Sequence, residues 1–172
     1  LKQKYAFYSF MEGNTVYAGL RMVGNAVFLF NMKAYAIVIY LEIPEGMGVV
    51  DIKTASGDID IIKVRPERLL TETASGDLSL AQVGADELKI KSASGDIRIE
   101  DGNGAQVNAH TLSGDIEAKR ISAGEILLKS TSGDVDADNM SADAIDLNSL
   151  SGSLDIAHLS ASECKIKSTS GD

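Results

Sequence analysis

From residue 50 onward the apolar and polar positions follow a single pattern nineteen residues long. Take Ser56, Ser75, Ser94, Ser113, Ser132, Ser151 and Ser170 as position zero of successive units. Position three then holds Ile59, Leu78, Ile97, Ile116, Val135 and Leu154, and position five holds Ile61, Leu80, Ile99, Ala118, Ala137 and Ile156. Polar residues stand between them, which is the period of a strand with one buried face. Position eight (Val64, Val83, Ile121, Met140, Leu159) is another inward site, broken by Gly102. Position ten carries Pro66, Ala85, Gly104, Ala123, Ala142 and Ala161, small or turn-forming residues that predict a tight bend. A second alternating stretch follows, with Leu88 and Ile90, Val107 and Ala109, Ile126 and Leu128, Ile145 and Leu147, then Cys164 and Ile166.

No unit contains an insertion or deletion, the signature of a stacked repeat. Each unit reads as two short strands joined by two corners. The economical architecture is an all-β parallel β-solenoid, or β-helix, in which every strand pairs with its equivalent one coil away. Six coils at a strand spacing of ~4.8 Å give a rod on the order of 29 Å long, and the crossover rule sets right-handed winding as the expectation. Residues 1–36 fall outside the register and hold most of the aromatics, with turn signals at Gly13-Asn14 and Gly24-Asn25. We expect them to form a β segment capping the first coil, with the solenoid occupying 37–172. The most apolar run, residues 34–43, is too short to span a bilayer and reads as a buried strand. The chain opens at Leu1 without Met and stops inside a seventh Ser-Gly-Asp, so a fragment of a longer repeat is expected.

The Ser-Gly-Asp triplets invite an explanation. Gly57, Gly76, Gly95, Gly114, Gly133 and Gly152 fall between the two strands, where a sharp corner is expected to call for positive φ. The following Asp can accept hydrogen bonds from corner amides. The hydroxyls just before the corner, as in "TAS", "TLS" and "STS", are expected to bond the backbone and one another in a ladder. Cys164, the sole cysteine, takes an inward aliphatic position and is expected to be a buried thiol. Ser153, standing where Asp is expected, shows that no single corner Asp is indispensable.

Charge narrows the function. A net charge of −9 argues against a nucleic-acid partner, which would need clustered Lys and Arg. Calcium-binding β-rolls carry Gly-Asp turns at both corners of the coil, whereas here one corner has them. A β-helical hydrolase or lyase would need a unique carboxylate pair in a cleft walled by long loops, and invariant spacing leaves no such loop. Neither His110 nor His158 has further His or Cys residues spaced around it as metal ligands, and inward parity of the hydroxyls weakens an ice-binding array. Outward positions of the strand after the corner are strongly acidic, and those of the other strand are basic or neutral. Asp96, Asp115, Glu117, Asp134 and Asp136 are therefore candidates for attracting a cationic protein, peptide or envelope component. The competing interpretation is that these charges only keep a long rod soluble. No catalytic, cofactor or metal residue is identified.

The run "YLEIPEGMGVVDIKTASGDIDI", followed by "ELKIKSASGDIRI" and "EILLKSTSGDVDA", resembles a bacterial family named for adhesins, β-strand-repeat domains of unknown function, over residues 37–172. The resemblance implies a parallel β-helical rod in an envelope or surface protein, with links to envelope-stress responses and no catalytic residues. The expected function is a non-enzymatic, adhesin-like module of the bacterial cell envelope. The alternative is a carbohydrate-active β-helical enzyme.

Overall fold

A computed structural model describes residues 4–12, 15–23 and 48–171. β1 (Lys4–Glu12) and β2 (Thr15–Val23) pair antiparallel, with Glu12 opposite Thr15, and the Gly13-Asn14 turn itself lies outside the described residues. The pair joins the repeat where Thr15 and Val16 pair in parallel with Val49 and Val50 of β3 (Val49–Thr54). The Gly24-Asn25 turn, the strand expected over 34–43 and the boundary at 36/37 lie outside the described residues.

Beyond β3 the chain is a parallel β-solenoid. The lower coils contain separate strands β4 (Ile59–Ile62), β5 (Arg68–Thr73), β6 (Leu78–Ala81) and β7 (Gly84–Ser92). The upper ones are β8 (Ile97–Ser113), β9 (Ile116–Ser132), β10 (Val135–Ser151) and β11 (Leu154–Ser170), each one continuous 17-residue strand that bends around the coil. Every pairing among β3–β11 joins residues nineteen apart, such as Ile97 with Ile116 and Ile116 with Val135. Stacking puts one residue type above its equivalent and fills the interior with aliphatic columns. Ile97, Ile116 and Val135 are wholly buried, as are Leu88, Ile126 and Leu147. Full burial of each such side chain contributes about 1.5–3 kcal/mol.

In addition to the bend expected at position ten, across which the inward residues Ile121 and Ile126 stand five apart, a corner that the sequence did not signal lies at position seven. Lys63, Gln82, Asp101, Arg120, Asn139 and His158 occupy it with φ between 54 and 59°. Each is an extra residue skipped by the ladder, whose partners run from Glu100–Lys119 directly to Gly102–Ile121. The skip explains why inward positions three and five are followed by eight. Residues at position seven have a Cβ in the left-handed region, an arrangement disfavoured by about 1–2 kcal/mol each. Small residues at position ten answer a different demand: a Cβ on Gly104 would collide with the Ala85 carbonyl beneath it.

The corner glycines also differ from expectation, because none of them has positive φ. What excludes a side chain is the coil below. A Cβ on Gly76, Gly95, Gly114, Gly133 or Gly152 would stand under 3.0 Å from the carbonyl oxygen of the preceding corner glycine. Among the described residues Gly57 has no such neighbour, and its nearest obstacle there is Thr54 Oγ1 at 3.2 Å.

That carbonyl accepts a buried hydroxyl from position seventeen of its own unit. Thr111 donates to Gly95 O at 3.2 Å, Ser130 to Gly114 O at 3.0 Å, Ser149 to Gly133 O at 2.9 Å and Ser168 to Gly152 O at 3.1 Å. The hydroxyls point inward as parity requires, and they bond the backbone without forming the mutual ladder expected. Thr73 reaches Gly57 O only at 3.5 Å, and Ser92 Oγ is buried without a partner.

Cys164 is exposed, contrary to the expected buried thiol. It sits above Ile145 at an inward position of β11, over which nothing stacks among the described residues. Ile166 in the same strand is 51% exposed for the same reason.

Two comparisons test this packing. Gly114→Ala should lose about 2–3 kcal/mol through overpacking, while Gly57→Ala should change stability by less than about 1 kcal/mol; urea unfolding of both variants measures the difference. Thr111→Val strips the Gly95 carbonyl of its donor and should cost about 1–2 kcal/mol. Thr71 Oγ1 is buried with no partner, so Thr71→Val should be neutral or stabilising by up to about 1 kcal/mol; equal losses in the two valine variants would contradict this assignment.

Candidate functional site

The rod presents its chemistry as columns of outward side chains, one residue per coil. Positions two, four and six form the face that follows the Ser-Gly-Asp corner. Eleven carboxylates point from it, namely Asp58, Asp60, Asp77, Asp96, Glu100, Asp115, Glu117, Asp134, Asp136, Asp138 and Asp155, against Arg98 and Lys119.

The five candidate residues share this face but differ in what they are free to do. Asp96, Asp115 and Asp134 are brackets between coils. Oδ1 of Asp96 accepts the Asp115 amide at 2.9 Å, Oδ1 of Asp115 accepts the Asp134 amide at 2.8 Å, and Oδ1 of Asp134 accepts the Ser153 amide at 2.7 Å. The same bond starts lower, from Asp58 to the Asp77 amide and from Asp77 to the Asp96 amide. The corner Asp therefore accepts a corner amide, as expected, and the amide comes from the coil above. Ser153 receives this bond but has no carboxylate to extend the column.

Glu117 is held by two cations. Arg98 Nε donates to its Oε2 at 2.6 Å, and Lys119 Nζ bonds the other oxygen. These hydrogen bonds, Lys119 first, hold its carboxyl below the ordinary range. Asp136 lies between Glu117 and Asp155 in its column, so two carboxylates, Asp136 and Asp155, are neighbours in adjacent coils about 4.8 Å apart. The acidic surface with freely directed charge is consequently the upper part of the face, centred on Asp136 and Asp155.

Position seven edges this face. Arg120 bonds Glu100 and also Asp101, its Nε lying 2.6 Å from Asp101 Oδ1, and Asp101's carboxyl is lowered chiefly by this hydrogen bond. His158 Nδ1 lies 2.9 Å from Asp138 Oδ1, which lowers the Asp138 carboxyl. Sequence reasoning missed these cross-coil pairs. Their signal is an acid and a base about nineteen residues apart.

The opposing chemistry lies at positions fourteen, sixteen and eighteen. Lys91, His110 and Lys129 succeed one another in one column, with Lys89 and Leu127 in the next. His110 is half-buried, and its imidazole is lowered first by burial and then by Lys91 and Lys129. Leu112 and Leu150 stand on the margin of this face, 49% and 51% exposed.

At the remaining corner, Glu67, Arg68, Asp86, Glu87, Ala105, Gln106, Gly124 and Glu125 line an open groove of about 480 Å³. Arg68 Nε bonds Glu87 at 2.7 Å and Gln106 reaches Glu125 at 3.3 Å. Its carboxylates Glu67, Asp86, Glu87 and Glu125 stand at positions eleven and twelve, where the intervening coil has Ala105 and Gln106 instead. Among the described residues no group of three or more His, Cys, Asp or Glu side chains is placed to hold a metal ion, and no helix is long and apolar enough to cross a membrane.

A family model described as Toastrack DUF4097 matches residues 12–108 and 103–172. Searches of curated proteins and of solved structures gave no match.

The lowered carboxyls set the direction of an acid effect. Glu117, Asp101 and Asp138 lose protons more readily when folded, so their stabilisation is present above the ordinary carboxylate pKa and disappears as pH falls through the lowered folded values. Thermal melts between about pH 6 and 2 should show stability falling on the acid side, with a shallower fall in Glu117→Gln. An unchanged acid slope in that variant would remove Glu117 from the effect.

Proposed function

We propose that this chain, which belongs to the Toastrack DUF4097 family of repeat β-domains of unknown function, is a non-enzymatic, adhesin-like module of the bacterial envelope or surface. It presents a regular acidic face to a cationic protein, peptide or envelope component. The observation that carries this reading is the upper acidic face, where Asp136 and Asp155 stand in adjacent coils and, among the described residues, no hydrogen bond occupies either carboxylate. Like charges held side by side raise the local potential, and a cationic partner relieves it.

Two features of the fold support presentation over catalysis. Corner carboxylates recur at position two from Asp58 to Asp134, and the corner groove is open to solvent, without the walls of a cleft. A general acid and base instead require a pair whose surroundings push their pKa values apart. Binding by a repeated column adds small contributions over many coils and tolerates variation in any one of them.

Cosedimentation of the purified chain with isolated bacterial envelopes tests the proposal at low salt and at ~0.15 M, where the Debye length is about 8 Å. The informative variant combines Glu117→Lys, Asp136→Lys and Asp155→Lys and leaves Asp115 and Asp134 to bracket the coils. Binding should weaken with salt and fall at least about tenfold in the variant, corresponding to 1.4 kcal/mol. Undiminished binding by the folded variant would contradict the proposal.

A further inference from the structure

The two charged faces belong to one rod, and they are complementary in sign. The Lys face carries Lys89, Lys91, Lys129, Lys165 and Lys167 along two adjacent columns. The acidic face carries Asp136 and Asp155 with Asp134 and Asp138 beside them. Both faces are built from the same nineteen-residue coil. Lys91, Lys129 and Lys167 recur in alternate coils of one column, with Glu72 and Asp146 also on that face. These lysines therefore stand ~9.6 Å apart, two strand spacings, while Asp136 and Asp155 stand in adjacent coils. Each face therefore offers charge from more than one coil, and opposite faces can meet at more than one point. Apolar groups accompany the charges: Leu112 and Leu150 are half-exposed beside the Lys face, and Ile62 on the acidic face is 64% exposed.

We propose that the Lys face of one copy binds the acidic face of a second copy, so that rods associate side by side. This rests on the reading that the acidic face binds a cationic surface, and it names that surface. Long-range repulsion between copies of net charge −9 is screened beyond about 8 Å at physiological salt, while pairs in direct contact remain. Solubility and association are therefore compatible: bulk charge keeps randomly oriented copies apart, and matched faces attract on close approach. The interface is heterologous, since each copy offers one face of each kind, and such contacts continue into a chain of rods unless their rotation closes a ring.

The experiment is sedimentation velocity on the purified chain at ~0.15 M and 1 M salt, at concentrations up to about 100 μM, above the micromolar limit of weak interfaces. Two variants neutralise one face each, Lys89→Gln with Lys91→Gln and Lys129→Gln, and Asp136→Asn with Asp155→Asn. The unmodified chain should form species larger than a dimer that dissociate in 1 M salt, and each variant alone should remain a monomer. An equimolar mixture of the variants should form dimers and stop there, because each contributes one intact face. A monomeric unmodified chain at every concentration would overturn the proposal, as would self-association that survives in either folded variant. No envelope is present, so either result leaves the envelope-binding reading to its own experiment.

Discussion

Everything in the repeat depends on how closely two corner glycines stack. The carbonyl oxygen of each points at the Cα of the next, at a separation that leaves no room for a Cβ. At that distance the carbonyl cannot take part in an ordinary ladder bond with the coil above. The hydroxyl at position seventeen supplies the missing donor, as in Thr111 to Gly95 and Ser149 to Gly133. One residue further on, the Asp carboxylate accepts the amide of the next coil. The Thr/Ser-x-Ser-Gly-Asp pattern is thus one hydrogen-bonding device. Gly permits the approach, the hydroxyl satisfies the carbonyl, and Asp ties the layers together.

Because the close stacking of corner glycines recurs from Gly76 to Gly171, the inward columns and corners have little freedom to carry function. A side chain there must fit the coils above and below simultaneously. The outward columns carry no such demand, and there the coils differ: position four runs Asp60, Ser79, Arg98, Glu117, Asp136 and Asp155. The lower and middle coils neutralise much of their charge through cross-coil pairs such as Arg98 with Glu117 and Arg120 with Asp101. On β10 and β11 His158 pairs with Asp138 and Lys165 with Glu163, while Asp136 and Asp155 stand side by side at position four, and a solenoid of uniform backbone acquires a chemically distinct region.

How much of this the sequence disclosed follows from which interactions are local. Inward columns such as Ile97, Ile116 and Val135 were legible because alternation along a strand and repetition between coils are both written in the chain. The need for glycine was legible, but its reason was not: a positive φ and a close neighbouring carbonyl leave the same residue in the sequence. The corner at position seven was missed because Lys63, Gln82, Asp101, Arg120, Asn139 and His158 share no chemical type, although they share one backbone conformation. Cys164 lies at an inward position, yet inwardness buries a side chain only where another coil covers it. The acidic face itself was legible, whereas the division between bracketing aspartates and free ones required the geometry of Asp115, Asp134 and Asp136.

The claim that the Ser-Gly-Asp column is a structural bracket is tested most directly by amide hydrogen exchange, followed by NMR with and without calcium. The corner residues Asp77, Asp96, Asp115, Asp134 and Ser153 are solvent-exposed, yet each amide donates to the carboxylate one coil below. Slow exchange at these five amides, unaltered by calcium, is the result the account predicts. Exchange at the rate of an open loop, or corner resonances that move on adding calcium, would contradict it.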